Sequence, residues 1–220
     1  GESKTGRRAI SAASVRRAWA RDHPTLEVPL GRDADGIVTL DLAADGPHLM
    51  VAGTTGAGKS ELLTSLVLSL AASNSPERLH LILVDFKGGA AFGPLTALPH
   101  CVGLLTDLDR AGAERALGSL RAQLTRREEV LAAAGCRDIG SLDAADPGRL
   151  PRLLVVVDEF RAFADDHPDL LENFQRLAAQ GRSLGVHLVV ATQRPAGAVP
   201  SDLRANLSAR LCLRVAEAAD

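Results

Sequence analysis

The residues Gly53-Thr54-Thr55-Gly56-Ala57-Gly58-Lys59-Ser60 match GxxxxGK[ST] at every fixed position. Glycines at this spacing let backbone N–H groups curl around phosphate oxygens, and a helix opening at the end of the loop adds partial positive charge. Lys59 then reaches the β- and γ-phosphates, and the Ser60 hydroxyl suits Mg2+. The apolar run His48–Ala52 enters the loop, and the helical period of Ser60–Ser73 leaves it. That strand-to-helix context separates a phosphate-binding loop from an ordinary glycine-rich turn.

A second constellation is Leu153-Leu154-Val155-Val156-Val157-Asp158-Glu159, an apolar strand ending in two acids. Beside a phosphate loop, Asp158 would hold Mg2+ through water together with Ser60, and Glu159 would orient and polarise an attacking water. The same pair also suits a helix start, with Asp158 as its N-cap. A third is Ala191-Thr192-Gln193-Arg194-Pro195, directly after another apolar strand. Gln193 is the candidate sensor of the γ-phosphate or the water, and turn chemistry before Pro195 is the plainer alternative.

Two further segments carry open readings. Val84-Asp85-Phe86-Lys87-Gly88-Gly89-Ala90 follows a strand, so Lys87-Gly88-Gly89 is either a loop contacting a nucleotide, a neighbouring subunit or a threaded polymer, or a flexible turn. In Gly181-Arg182-Ser183, Arg182 ends a helix, either as a cation at its C-terminus or as an arginine reaching a neighbouring subunit's γ-phosphate. Arg161, Arg194 and Arg204 are weaker competitors for that role.

The elements that must position these groups alternate. Strands are expected at His48–Ala52, Leu79–Val84, Cys101–Leu105, Leu153–Val157, His187–Ala191 and Leu211–Val215, and helices at Ser60–Ser73, Asp109–Ala134 and Pro168–Leu184. Ile139–Arg149 reads as a polar connection. Alternation of this kind gives an α/β fold, a mostly parallel sheet with helices on both faces and ligands at the carboxyl ends of the strands. Residues 1–45 read differently, as a short helix within Arg7–Ala20 and a β-hairpin from Leu26–Leu30 and Ile37–Leu42. They are expected to form an adaptor packed on a core spanning 46–220.

Composition narrows the function classes. The chain has 220 residues, 46% hydrophobic and 24% charged, which excludes a disordered, collagenous or small disulfide-stapled protein. A net charge of −2 gives no global attraction to nucleic acid or anionic lipid. Cys101, Cys136 and Cys212 lie far apart without CxxC spacing, which fits a reducing compartment and argues against a structural metal site. No stretch is apolar for long enough to span a bilayer. Only Lys4, Lys59 and Lys87 are lysines among 25 basic residues, so a lysine inside a motif departs from the chain's own habit. The phenylalanines read as packing residues, and aromatics at 3% offer little for a base-stacking platform.

With these motifs placed, the run from Leu26 to Val215 resembles an FtsK/SpoIIIE-type ATPase domain, most closely those of the type VII secretion ATPases EccC/EssC. The resemblance rests on GPHLMVAGTTGAGKSELL (46–63), LVDFKGGAAF (83–92), LPHCVGLLTDLD (98–109), VVVDEF (155–160) and GRSLGVHLVVATQRP (181–195), in the family's order. It implies a RecA-like core that binds and hydrolyses ATP with Mg2+, commonly in hexameric rings. Gly53, Thr54, Thr55, Gly56, Ala57, Gly58, Lys59, Ser60 and Glu61 would hold nucleotide, Ser60 and Asp158 the metal, and Glu159, Lys59 and Gln193 the reaction, with Arg182 acting in trans. DNA translocases of the superfamily tend to carry DPKGG; Asp85-Phe86-Lys87-Gly88-Gly89 resembles the secretion branch.

The implied partners are neighbouring ATPase domains in a ring, secreted proteins and membrane components of a secretion system, at the cytosolic face of a bacterial membrane. Double-stranded DNA is the alternative cargo, and a nucleotide-binding regulatory module without hydrolysis is a second alternative. The chain stops soon after an expected strand, where members of the family continue, so a piece of a longer protein is expected.

Overall fold

Three runs dense in β-branched and leucine residues, Leu79–Asp85, Arg152–Asp158 and Val186–Thr192, form the centre of a sheet whose two faces are both covered. The computed structural model describes residues 11–21, 24–86, 91–106, 110–193 and 199–215. In chain order the strands are β1 Glu27–Arg32, β2 Ile37–Asp41, β3 His48–Ala52, β4 Leu79–Asp85, β5 Cys101–Thr106, β6 Arg152–Asp158, β7 Val186–Thr192 and β8 Ala209–Cys212. The helices are α1 Ala12–Trp19, α2 Lys59–Ser73, α3 Arg110–Ala133, α4 Ile139–Ala145, α5 Phe160–Asp166, α6 Leu171–Leu184 and α7 Ser201–Asn206. The main sheet has the order β5-β4-β6-β7-β3-β8, with every pairing parallel.

Alternation along the strands sorts side chains into two apolar layers. On one side, Leu154, Val156, Leu81, Leu83, Val189 and Val51 pack with Leu63, Leu66 and Leu70 of α2. On the other, Leu153, Val155, Val157, Leu188 and Val190 pack with Leu117, Leu120 and Leu124 of α3 and with Phe174 and Leu177 of α6. The antiparallel β1–β2 hairpin adds Leu26, Val28, Leu40 and Leu42 to the α2 layer. Trp19 of α1 donates its indole N–H to the carbonyl of Ala71 at 2.9 Å and meets the His100 ring edge-on. Asn74, which caps α2, holds the main chain of Thr25 from both sides: Thr25 N–H donates to its Oδ1 at 2.9 Å, and its Nδ2 donates to Thr25 O at 2.8 Å.

The structure corrects three expectations. Residues 139–145 are helical: Asp138 caps α4 by accepting from Ser141 N–H, while Ile139 and Leu142 are buried. Its apolar face is only a few residues wide inside a polar stretch, too short for periodicity to register. The last strand lies at Ala209–Cys212 rather than 211–215, because the chain leaves the sheet at Leu213 to close over the phosphate loop. The segment after His167 begins as a 3-10 turn at Pro168–Leu170 before α6. Helix α7 was not expected; α5 is the helix start that Asp158-Glu159 also suited, with Glu159 rather than Asp158 at the N-cap position.

Packing also explains Gly181. A Cβ there would lie 2.6 Å from the Val186 carbonyl oxygen and 3.0 Å from Cε1 of His48, so α6 seats against β7 only with glycine. Gly181→Ala is expected to cost about 1–3 kcal/mol, measured as a lower urea midpoint with unchanged m-value. Nearby, the buried Arg127 donates to the carbonyls of Leu184 and Pro151, at 2.9 and 2.6 Å, fastening the end of α6 to the entry of β6. Among the described residues no helix is long and apolar enough to cross a membrane.

Candidate active site

Strand β3 ends at Ala52, and the chain turns at once into the glycine loop. A Cβ on Gly53 would stand 3.0 Å from Leu213 Cβ and 3.3 Å from Ala57 Cβ, so the turn closes only around glycine. Gly56 and Gly58 take φ of +73° and +96°, left-handed values that favour glycine. Gly58 caps α2, whose first-turn N–H groups therefore face the loop. The loop is anchored on both flanks. Gly53 N–H donates to Thr192 O at the end of β7, and Thr54 donates to Arg214 O through both its N–H and its hydroxyl. Lys59 is buried, and its ammonium donates to the carbonyls of Gly53 at 2.7 Å and Thr54 at 3.3 Å. The cation is thus held inside the curl of the loop. Glu61 is exposed in the first turn of α2.

The acidic pair stands at the same sheet edge. Ser60 Oγ–H donates to Asp158 Oδ2 at 3.2 Å, and Glu159 N–H donates to Asp158 Oδ1 at 2.9 Å. Burial holds the Asp158 carboxyl above the usual carboxylate range, with like charge from Glu159 and Asp85 adding to it and the two hydrogen bonds opposing it. A serine hydroxyl and a carboxylate within hydrogen-bond distance, both hard oxygen donors, fit Mg2+.

Glu159 has φ 54° and ψ 44°, the one left-handed non-glycine residue among those described. That conformation costs on the order of 1–2 kcal/mol for an L-residue. It makes the elbow between β6 and α5 and swings the side chain toward β7. There Gln193 Nε2–H donates to Glu159 Oε1 at 2.5 Å, while Gln193 Oε1 accepts from the Thr55 hydroxyl at 3.0 Å.

Gly53–Ser60, Asp158, Glu159 and Gln193 are therefore brought together. Arg182 is not. It lies in the last turn of α6, before β7, at the amino edge of the sheet beside Pro47, Arg152 and His187. The seven residues of β7 separate that edge from the phosphate loop, about 20 Å of strand. Arg161 pairs with Asp165 on its own helix, and Arg204 lies in α7. Arg194 and Lys87-Gly88-Gly89-Ala90 lie outside the described residues.

Two groups beside the site had no role of their own in the sequence reading, although Asp85 lay within the motif read for Lys87-Gly88-Gly89. Asp85 is buried at the end of β4, in register with Asp158 of β6. Its signal was an apolar strand ending in Asp, the same pattern as at 153–158. The Leu213–Arg214 backbone, which closes the loop's outer side, carries no signal in its side chains.

A profile described as the FtsK/SpoIIIE family matches residues 10–148 and 141–197. The chain belongs to the FtsK/SpoIIIE family. This FtsK/SpoIIIE domain is 36% identical over 226 residues to the type VII secretion system protein EssC of Staphylococcus aureus (strain NCTC 8325 / PS 47), covering 96% of this chain and 15% of that protein. The cytoplasmic domain of the type VII secretion ATPase EccC of Thermomonospora curvata superposes with a TM-score of 0.85 at 36% identity, covering 93% of this chain and 26% of that one. ATPases 2 and 3 of T. curvata EccC, solved with a signal sequence peptide, give a TM-score of 0.78 at 26% identity, covering 88% of this chain and 37% of that one. The parallel six-stranded sheet is thus a RecA-like P-loop ATPase fold of the EccC/EssC type. The chain spans well under a fifth of the EssC relative it matches.

Proposed function

We propose that residues 46–220 are an ATP-hydrolysing motor domain of a type VII secretion translocase, with residues 1–45 as an adaptor packed on it. The observation that carries this reading is the convergence of Lys59, Ser60, Asp158, Glu159 and Gln193 at one sheet edge. The loop N–H groups and the α2 N-terminus bind the phosphates, and Lys59 turns its ammonium from the loop carbonyls to the β- and γ-phosphate oxygens. Ser60 and Asp158 hold Mg2+, which when bound neutralises charge on those phosphates. Glu159 accepts a proton from the attacking water while Gln193 fixes the carboxylate's direction.

Arg182, a strand's length from its own loop, serves only a neighbour's nucleotide, in a ring of like or tandem domains. The likeness to EccC solved with a signal sequence peptide supports secreted protein as cargo, at the cytosolic face of a membrane.

The test is phosphate release by the chain alone and with a secretion-signal peptide, a neighbouring ATPase domain or double-stranded DNA added separately. Turnover should be slow at high dilution and rise when subunits are forced together. Arg182→Ala should remove that rise, a loss of roughly 10³-fold. Full turnover by dilute monomer, indifferent to Arg182→Ala, would overturn the trans arrangement. Stimulation by DNA alone, steeply reduced by salt, would replace protein with DNA as the cargo.

A further inference from the structure

We propose that Thr55 is a positioning residue for hydrolysis: its hydroxyl fixes the amide of Gln193, and through that amide the carboxylate of Glu159, so the tip of the phosphate loop sets the direction of the catalytic base. The proposal rests on Glu159 as the group that prepares the attacking water.

Three elements contribute to the relay: the loop after β3, the end of β7 and the elbow after β6. The Thr55 hydroxyl donates to Gln193 Oε1 at 3.0 Å, and Gln193 Nε2–H donates to Glu159 Oε1 at 2.5 Å. The polarity of this chain is fixed by chemistry. A carboxylate only accepts, so the amide must present its NH2 to Glu159; turned over, its carbonyl oxygen would face another acceptor. The correct face leaves Oε1 toward Thr55, whose hydroxyl supplies the donor. The carboxylate end sets the amide orientation, and the Thr55 hydroxyl, able to donate or accept, adapts to it as the donor.

The rest of Glu159 is already constrained. Its backbone is locked in the left-handed region, and its N–H is committed to Asp158. The Gln193 amide acts on the side chain itself, donating to Oε1. Thr55 is exposed, so its side chain is not there to fill the core. It follows Thr54, which is tied to Arg214, and precedes Gly56, at φ +73°. Its hydroxyl therefore projects from a fixed point of the loop. A phosphate entering the loop meets the same turn, so loop occupancy and carboxylate orientation are linked through two hydrogen bonds.

The test uses the full chain in five forms: wild type, Thr55→Val, Thr55→Ser, Gln193→Ala, and Thr55→Val combined with Gln193→Ala. The first readout needs no turnover. In nucleotide-free protein, the Gln193 side-chain amide should give two well-separated, exchange-protected proton resonances. Thr55→Val should collapse them toward the free-glutamine position, and Thr55→Ser should retain them. The second readout is kinetic. Thr55→Val should lower kcat roughly fivefold, the factor one neutral hydrogen bond carries, a larger factor than its change in nucleotide affinity. On the Gln193→Ala background it should change kcat no further. An unchanged Gln193 spectrum in Thr55→Val, a loss confined to affinity, or full additivity with Gln193→Ala would each overturn the relay. Failure of the underlying reading looks different: turnover would survive Glu159→Gln, whatever the amide spectrum does.

Discussion

Replacing Glu159 by glutamine is expected to lower steady-state phosphate release by roughly 10²- to 10⁴-fold, the range a positioned general base supplies, while leaving nucleotide binding intact. The two consequences separate because the groups separate. On the proposed reading the loop, α2 and Lys59 contact the phosphates, whereas the Glu159 side chain accepts from Gln193 at the end of β7. The substitution keeps the side chain's length, and its new carbonyl oxygen can still accept from Gln193, so the elbow and its neighbours stay in place. What is lost is the ability to take a proton. A fluorescent ATP analogue should therefore bind normally and persist unhydrolysed on Glu159→Gln, under conditions where assembled wild type turns over. Unimpaired phosphate release would remove Glu159 from the mechanism; lost binding with normal chemistry in the remaining fraction would make it a structural residue.

Mild acid is expected to destabilise the fold sharply, through His48 and His187. His48 is fully enclosed: Leu188 N–H donates to its Nδ1 and its Nε2–H donates to Ala178 O, a pattern that requires the neutral ring. His187 donates Nδ1–H to Pro47 O. Burial lowers His48 from 6.5 to about 4. Burial and then the nearby Arg152 charge lower His187 from 6.5 to about 3. Each ring binds a proton more weakly folded than unfolded, so the unfolded chain is protonated first as pH falls. The stabilisation is complete above pH 6.5 and is lost on the way down to about 4 and about 3. At about 1.4 kcal/mol per pKa unit, each histidine withdraws on the order of 3 kcal/mol by pH 4. Together that is a large part of the roughly 5–15 kcal/mol that holds a domain. His80 and His100, also lowered mainly by burial, act in the same direction. Asp158, held above its usual range, opposes them as one group. Urea unfolding at pH 7, 6, 5 and 4.5 should give a steadily falling free energy, and His187→Asn, which keeps the donor to Pro47, should flatten the curve. A flat wild-type profile would sink the argument.

The sheet was legible because its strands are monotonous. Leu153–Val157 and His187–Ala191 contain so little polarity that only a position covered on both faces suits them. The phosphate loop was legible because spacing and function are tied through backbone geometry. Asp158 and Glu159 stood out by their place after such a strand, although two acids alone would equally have started a helix, and Glu159 does occupy the N-cap position of α5, without a side-chain capping bond. What could not be read was contact between distant segments. Nothing in Thr54 and Arg214 announces that one closes on the other's carbonyl, and nothing in Asp85 says which strand is its neighbour until the β4–β6 register is known. Helix α4 was hidden for the opposite reason: its signal is local but too brief. Gly181 was noticed within its motif, but the reason for a glycine there is the approach of β7 and His48, which only packing reveals.

The single tryptophan of the chain, in a sequence without tyrosine, stands where the N-terminal helix meets the carboxyl end of the loop-bearing helix. Its indole is bonded to Ala71 and flanked by the His100 ring, a known quencher in its cationic form. Ultraviolet emission from this protein is therefore a single-site, label-free reporter of whether the leading segment is seated on the helix that carries the triphosphate cradle. Stopped-flow mixing with nucleotide can follow that seating in real time, without any engineered dye.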